Sequence, residues 1–231
     1  MTSDLIVLGL TWFVVFLFST TLHEAGHALA AYRLGDPTAY HGGQVSLSPF
    51  PHIRRAPVGM VVIPIITFAL SRGGWMMGWA NAPYDPRWAH RHPRRAAVMA
   101  LAGPAANLIL VLLSGLAIRA GLAAGAYTAP TQLSLTAVTV ATGHGLAAAA
   151  ATPLSILFSL NLILFVFNLL PLPPLDGSTA IALLMTDDMA RRYQEFLYQP
   201  MFSMLGLVVA WQVFNPIIWP VVIQALRILY R

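Results

Sequence analysis

Four long apolar runs dominate the chain, at residues 5–31, 96–118, 154–170 and 201–226, with the polar residues collected between them. As a helix the first run would be about 40 Å long, more than the roughly 30 Å hydrocarbon core of a bilayer. A barrel strand needs only about ten residues, so these runs predict spanning helices. A shorter apolar run, Pro57 to Leu70, contains Gly59 and Pro64 and predicts a short helix that is tilted or re-entrant. Ahead of it, Gln44-Val45-Ser46-Leu47-Ser48 alternates with period two and predicts a short strand. Behind it, Gly73 to Pro83 is rich in glycine and tryptophan, as suits a loop dipping into the membrane interface. Residues 120–152 show little periodicity and receive no assignment. Pro171, Pro173 and Pro174 end the 154–170 helix in a broken turn. Asp187 to Glu195 reads as a charged loop, and 201–226, interrupted by Pro216 and Pro220, as one kinked span or a hairpin. The expected fold class is an all-α polytopic membrane protein with four to six transmembrane helices. A short β-hairpin or re-entrant loop region is expected between the first span and the 96–118 span.

Composition agrees with this pattern. The chain is 58% hydrophobic and 9% charged, where soluble domains carry about 25% charged residues. Its net charge of +5 comes from thirteen arginines and no lysine, which together with the abundant alanine suits a GC-rich bacterial genome. The arginines sit beside apolar runs as topology signals do, so nucleic-acid binding is not expected. Asp4 before the first span and Arg33 after it place the N-terminus outside and Arg33 at the cytosol of a bacterial cytoplasmic membrane. Arg87, Arg91, Arg94 and Arg95 place their loop near the cytosolic headgroups. The first run has Asp4 where a signal peptide has basic residues, and it carries histidines, so it is not expected to be removed. No cysteine is present, which excludes disulfides, thiolate metal sites and a cysteine nucleophile.

Candidate chemistry lies inside the first span. His23-Glu24-Ala25-Gly26-His27 puts two imidazoles four residues apart, on one face of a helix, with a carboxylate between them. This is a zinc-binding pattern in which the glutamate handles the proton of a water. A pair of buried histidines bonded to helix backbone, with a neutral Glu24, is the bland alternative. Three polar groups on one turn of a membrane helix, however, need a shared reason. A zinc site needs a third protein ligand. Asp36, Asp85, Asp176 and the remaining histidines are candidates. Asp36, Asp85, His41, His90 and His92 lie in hydrophilic loops where water would satisfy them, whereas Asp176 follows an apolar span and a proline-broken turn. Asp176 reaches His27 only if an odd number of crossings separates their spans. The 96–118 span alone meets this condition, as does that span with both ambiguous segments. The arginine distribution favours the first option. His144 reads as structural or exposed.

His23-Glu24-x-x-His27, Gly103-Pro104-x-x-Asn107 and Asn168-x-x-Pro171-x-Pro173-Pro174-Leu175-Asp176-Gly177, in this order on successive spans, resemble the site-2 proteases, a family of intramembrane zinc metalloproteases. Gly35-Asp36-Pro37-Thr38-Ala39 and Gly78-Trp79-Ala80 resemble short bacterial members, although Asn81 stands where those often carry lysine. The resemblance implies one zinc ion held by His23, His27 and Asp176, with Glu24 as general base. It implies that Asn168 and Asn107 position or stabilise the substrate carbonyl. Residues 1–231 would then form one membrane-embedded protease domain, with a catalytic core at about 5–177, C-terminal helices at 178–231 and no room for a PDZ or CBS domain. Implied substrates are single-span membrane proteins, such as anti-sigma factors or remnant signal peptides, met within the lipid bilayer on the cytosolic side. The alternative is a metal-binding or metal-transporting membrane protein without proteolysis. It predicts further ligands staged across the membrane, and the sequence shows one cluster. Oligomeric state is not addressed by any motif.

Overall fold

The computed structural model describes residues 3–197 and 199–231. Helix α1 (Ser3–Leu34) is followed by α2 (Thr38–His41), α3 (Pro49–Arg55), a π-helical turn (Val58–Val62) running into α4 (Ile63–Leu70), and α5 (Pro86–Arg91). Then come α6 (Pro93–Ala123), strands β1 (Tyr127–Thr128) and β2 (Val140–Ala141), α7 (Leu146–Asn168) and α8 (Asp176–Ala180). The chain closes with a 3₁₀ turn (Ile181–Leu184), α9 (Asp187–Leu197) and α10 (Pro200–Tyr230). Among these, α1, α6, α7 and α10 are long and apolar enough to cross a membrane. This is an all-α polytopic protein.

Local chemistry accounts for the boundaries. Gly35, with φ of 104°, ends α1 in the left-handed conformation that costs glycine least. Prolines at the first turn start α3, α5, α6 and α10, where the missing N–H is no loss. Asp85 caps α5 by accepting from the Arg87 N–H at 2.8 Å.

Contacts fix the helix directions. Gly26 and His23 on α1 meet Ala102 and Asn107 on α6, so these two helices run antiparallel. Phe16 clusters with Ile156 and Leu160 of α7, and Ser19 bonds Asn161, so α1 and α7 run parallel. Phe167 packs edge-on against Phe214, and Phe158 and Leu229 share one cluster, which turns α10 back along α7. With α1 and α7 parallel, the number of crossings between them is odd. Helix α6 supplies that crossing. Because α1 and α6 run antiparallel, the pair Pro49–Arg55 and Val58–Leu70 between them, bent by 113°, makes no net crossing.

Several expectations change. The strand expected at Gln44–Ser48 is absent: Gln44 is buried and its N–H bonds the Ala39 carbonyl, while Ser46 accepts from the Ser48 N–H. Among the described residues no partner strand lies beside it, and an isolated short strand is not stable. The region between the first two spans is therefore a re-entrant helix pair. The β-hairpin sits instead at Tyr127–Thr128 and Val140–Ala141, in the stretch without periodicity. Asp187–Glu195 is helical, not a loop. Thr186 caps it, Asp188 and Arg191 pair at 3.0 Å, and Ala190 and Gln194 turn a buried face inward. Of the two readings of 201–226 the single span holds, because helix α10 stays continuous through Pro216 and Pro220. Asp36, expected in a wet loop, is 2% exposed. Its carboxylate accepts from the N–H and hydroxyl of Thr38 and from the Asp85 N–H, tying the loop after α1 to the loop before α5.

Helices α1 and α6 touch through small residues. A Cβ on Gly26 would lie 2.9 Å from the Ala102 carbonyl oxygen, so only glycine permits this approach. Gly26→Leu is expected to force the helices apart and cost about 1–3 kcal/mol. Thermal unfolding of the detergent-solubilised variant would show this as a lowered midpoint.

Candidate metal centre and active site

Helix α1 carries His23, Glu24 and His27 on successive positions of its buried face, each less than a tenth exposed. Helix α6 presses Gly103 against them: a Cβ there would collide with both imidazoles, 2.6 Å from the His23 Nε2. Glycine thus leaves the histidine side chains the space between the helices.

Asp176 arrives from the turn after α7. The Leu172 N–H bonds the Leu170 carbonyl and the Leu175 N–H bonds the Leu172 carbonyl, folding 170–175 into a compact knot that Ala210 of α10 covers. This places the Asp176 Oδ2 at 3.2 Å from the His23 Nε2 and 3.3 Å from the His27 Nε2, which are themselves 3.0 Å apart. A tetrahedral ion with bonds of about 2.0–2.1 Å separates its ligand atoms by about 3.3 Å. The three edges fit such a site. His23, His27 and Asp176 are also the residues among the described ones that could hold a metal as a group.

The hydrogen bonds at the outer nitrogens are more telling than the distances. The His27 Nδ1 lies 2.8 Å from the Met99 carbonyl, which can only accept, so Nδ1 carries the proton. The His23 Nδ1 donates to the Asn107 Oδ1 at 2.6 Å. Both Nε2 atoms then present lone pairs to one another and to Asp176, whose buried Oδ2 has no hydrogen-bond donor. In that tautomer three electron pairs face one point, where a bound metal ion would satisfy them together.

Asn107 is wholly buried and committed at both ends, since its amide N–H donates to the Asn161 Oδ1 at 2.8 Å. Asn161 donates to the Ser19 hydroxyl at 2.9 Å and the Leu157 carbonyl at 2.8 Å. Asn168 closes α7, half-buried, with its amide on the Leu164 carbonyl at 3.0 Å; this uses one of its two amide hydrogens. Asn161 and Ser19 were not singled out in the sequence, although a fully apolar span offers few other polar groups that require a partner. The loop candidates stay away from the centre. Asp36 and Asp85 serve as structural acceptors, His90 pairs with Glu195 at 3.3 Å, and His144 is exposed.

A family model described as "Peptidase family M50" matches residues 11–210. The chain belongs to peptidase family M50. That is the site-2 protease family which the three motifs resemble, so this M50 member is a membrane metalloendopeptidase. It is 33% identical over 214 residues to "Putative zinc metalloprotease YwhC" of Bacillus subtilis, covering 87% of this chain and 84% of that protein. It is 31% identical over 166 residues to "Putative zinc metalloprotease Rip2" of Mycolicibacterium smegmatis, covering 71% of this chain and 53% of that protein. No solved structure matches the chain.

Gly103→Ala tests whether the pocket is shaped around the imidazoles. The methyl group should displace both histidines and lower metal affinity about tenfold or more while the helices persist. Chelator competition, read beside circular dichroism, checks both halves.

Proposed function

We propose that this M50 peptidase is a zinc enzyme that hydrolyses peptide bonds in or near the transmembrane helix of single-span membrane proteins, from the cytosolic side of a bacterial cytoplasmic membrane. The observation that carries it is the triangle of His23 Nε2, His27 Nε2 and Asp176 Oδ2, with the outer nitrogen of each histidine on an oxygen acceptor. Two imidazoles and one carboxylate suit zinc, leaving one position open. Anti-sigma factors and remnant signal peptides are the substrate types to test first.

Zinc, when bound, supplies Lewis-acid chemistry that acidifies water and polarises a carbonyl. The residues do the rest. His23 and His27 hold their Nε2 atoms in place through Asn107 and the Met99 carbonyl. The Glu24 carboxylate takes a proton from the attacking water as the new C–O bond forms, then delivers it to the leaving amine nitrogen as the C–N bond breaks. Asn168 keeps one amide hydrogen for the developing oxyanion, a contact worth about 3–4 kcal/mol where it is made. Asn107, with both ends of its amide engaged, serves His23 rather than the substrate.

A substrate helix must unwind before its carbonyls are accessible, and an unwound segment needs an edge to pair with. Residues 75–85 contain no helix or turn. Met77 bonds the Thr67 hydroxyl, the Trp79 N–H donates to the Gly59 carbonyl, and the Asn81 carbonyl accepts from Gln44. The backbones of Met77, Trp79 and Asn81 thus meet partners along one edge at alternate positions, as in a strand. By the same alternation the backbone groups of Gly78, Ala80 and Ala82 would face the other edge, where an extended substrate would add by strand pairing.

Glu24→Gln should keep zinc bound and abolish cleavage of a co-expressed reporter span. A variant that still cleaves would overturn the assignment of the base. Ala80→Pro removes the outward N–H at the centre of the proposed edge, and should lower cleavage about tenfold with zinc content unchanged. Unaltered cleavage would remove the edge from the reading.

A further inference from the structure

We propose that Asn161 is a remote positioning residue that sets the tautomer of His23, through a hydrogen-bond chain whose direction is fixed by one backbone carbonyl of α7. This rests on the zinc site proposed above and concerns how the chain prepares it.

The chain of contacts has a single consistent polarity. The Leu157 carbonyl can accept hydrogen bonds but never donate, so the side-chain atom of Asn161 lying 2.8 Å away must be the amide nitrogen. The same nitrogen reaches the Ser19 hydroxyl at 2.9 Å. The Asn161 oxygen is thereby turned toward Asn107. It can be met there only by a donor, so Asn107 presents its amide nitrogen at 2.8 Å. That leaves the Asn107 oxygen to face the His23 Nδ1 at 2.6 Å, and Nδ1 must carry the proton. The Nε2 lone pair is then free for a metal. Reversing any one amide would set two donors or two acceptors against each other.

Burial makes this polarity binding. Ser19, Asn107 and Asn161 are each 0% exposed, so a mismatched pair cannot turn to water for relief. An unsatisfied buried polar group costs about 1–3 kcal/mol, enough to hold one orientation. The three groups come from α1, α6 and α7. Ser19 lies one helical turn before His23 on the same face of α1, so Asn161 grips the histidine's own helix as well as its hydrogen-bond partner. His27 needs no such relay, because the Met99 carbonyl sets its tautomer directly.

The test measures zinc affinity of the purified full chain by chelator competition, with circular dichroism and thermal unfolding in parallel. Asn161→Leu removes the polarity signal and frees the Asn107 amide to rotate. Zinc affinity should fall about 10–100-fold, as for other losses behind a metal ligand. Asn161→Ala gives the same readout if the leucine variant does not fold. The deciding variant is the double substitution Asn107→Asp with Asn161→Leu. A carboxylate beside His23 accepts only, and so enforces the Nδ1–H tautomer without help from α7. Affinity should return to within about threefold of wild type. Asn161 variants that bind zinc as wild type does, or a double variant as weak as the single one, would overturn the relay while leaving the zinc site standing. A wild-type protein that takes up no zinc would overturn both.

Discussion

Two imidazole lone pairs and a carboxylate oxygen, all directed at one point inside an apolar slab, repel each other. That local conflict is the constraint around which the molecule is arranged. Without a metal ion the groups would separate, or an imidazole would take up a proton and pair with the carboxylate. The chain supplies its hydrogen-bonding partners at the outer nitrogens instead, through the Met99 carbonyl and Asn107. Such second-layer contacts fix ring orientation and tautomer before any metal arrives.

The packing of α6 follows from the same requirement. It must approach α1 closely enough for its backbone to reach a histidine, hence Gly26 against the Ala102 carbonyl and Gly103 against the rings. Pro104 follows directly, and a proline within a helix deprives the carbonyl four residues earlier of its usual donor. Helix α7 must run parallel to α1 so that its end delivers Asp176 to the level of His23. The unwound turn of residues 170–175 then bridges the remaining distance. Exposed backbone at this depth is tolerated because α10 covers it through Ala210, Val213 and Phe214.

Much of this was legible in the sequence. His23, Glu24 and His27 declare themselves through helical spacing in an apolar run. Asp176 follows from a proline cluster that has to break a helix. Crossing parity gave the relative direction of α1 and α7 without coordinates. What was not legible depended on tertiary context. Gln44–Ser48 alternates like a strand, but period two has no force without a partner strand, and Gln44 buries its side chain instead. Asp187–Glu195 looked like a loop because it is polar; its helix is stabilised by a cap and a small buried face that composition hides. The direction of an asparagine amide is likewise invisible in sequence. From sequence Asn107 reads as a group for the substrate carbonyl, and its contact with His23 emerges only once Asn161 and the Leu157 carbonyl are in place.

The 75–85 segment carries the same logic from the metal to the substrate. Thr67, Gly59 and Gln44 engage the backbones of Met77, Trp79 and Asn81 along one edge, and in the proposed reading Gly78, Ala80 and Ala82 present theirs on the other. Facing hydrocarbon, each unpaired group would cost several kcal/mol. Facing water alone, a bare edge invites pairing with any extended chain it meets. Either way the edge favours a partner that has itself lost its helix. Unwinding a membrane helix exposes a matching set of unpaired N–H and carbonyl groups, so each side relieves the other's deficit. An intact substrate helix has nothing to offer this edge, because its own backbone is already satisfied. In the proposed reading the edge would therefore discriminate by conformation before sequence, favouring spans whose helices open easily.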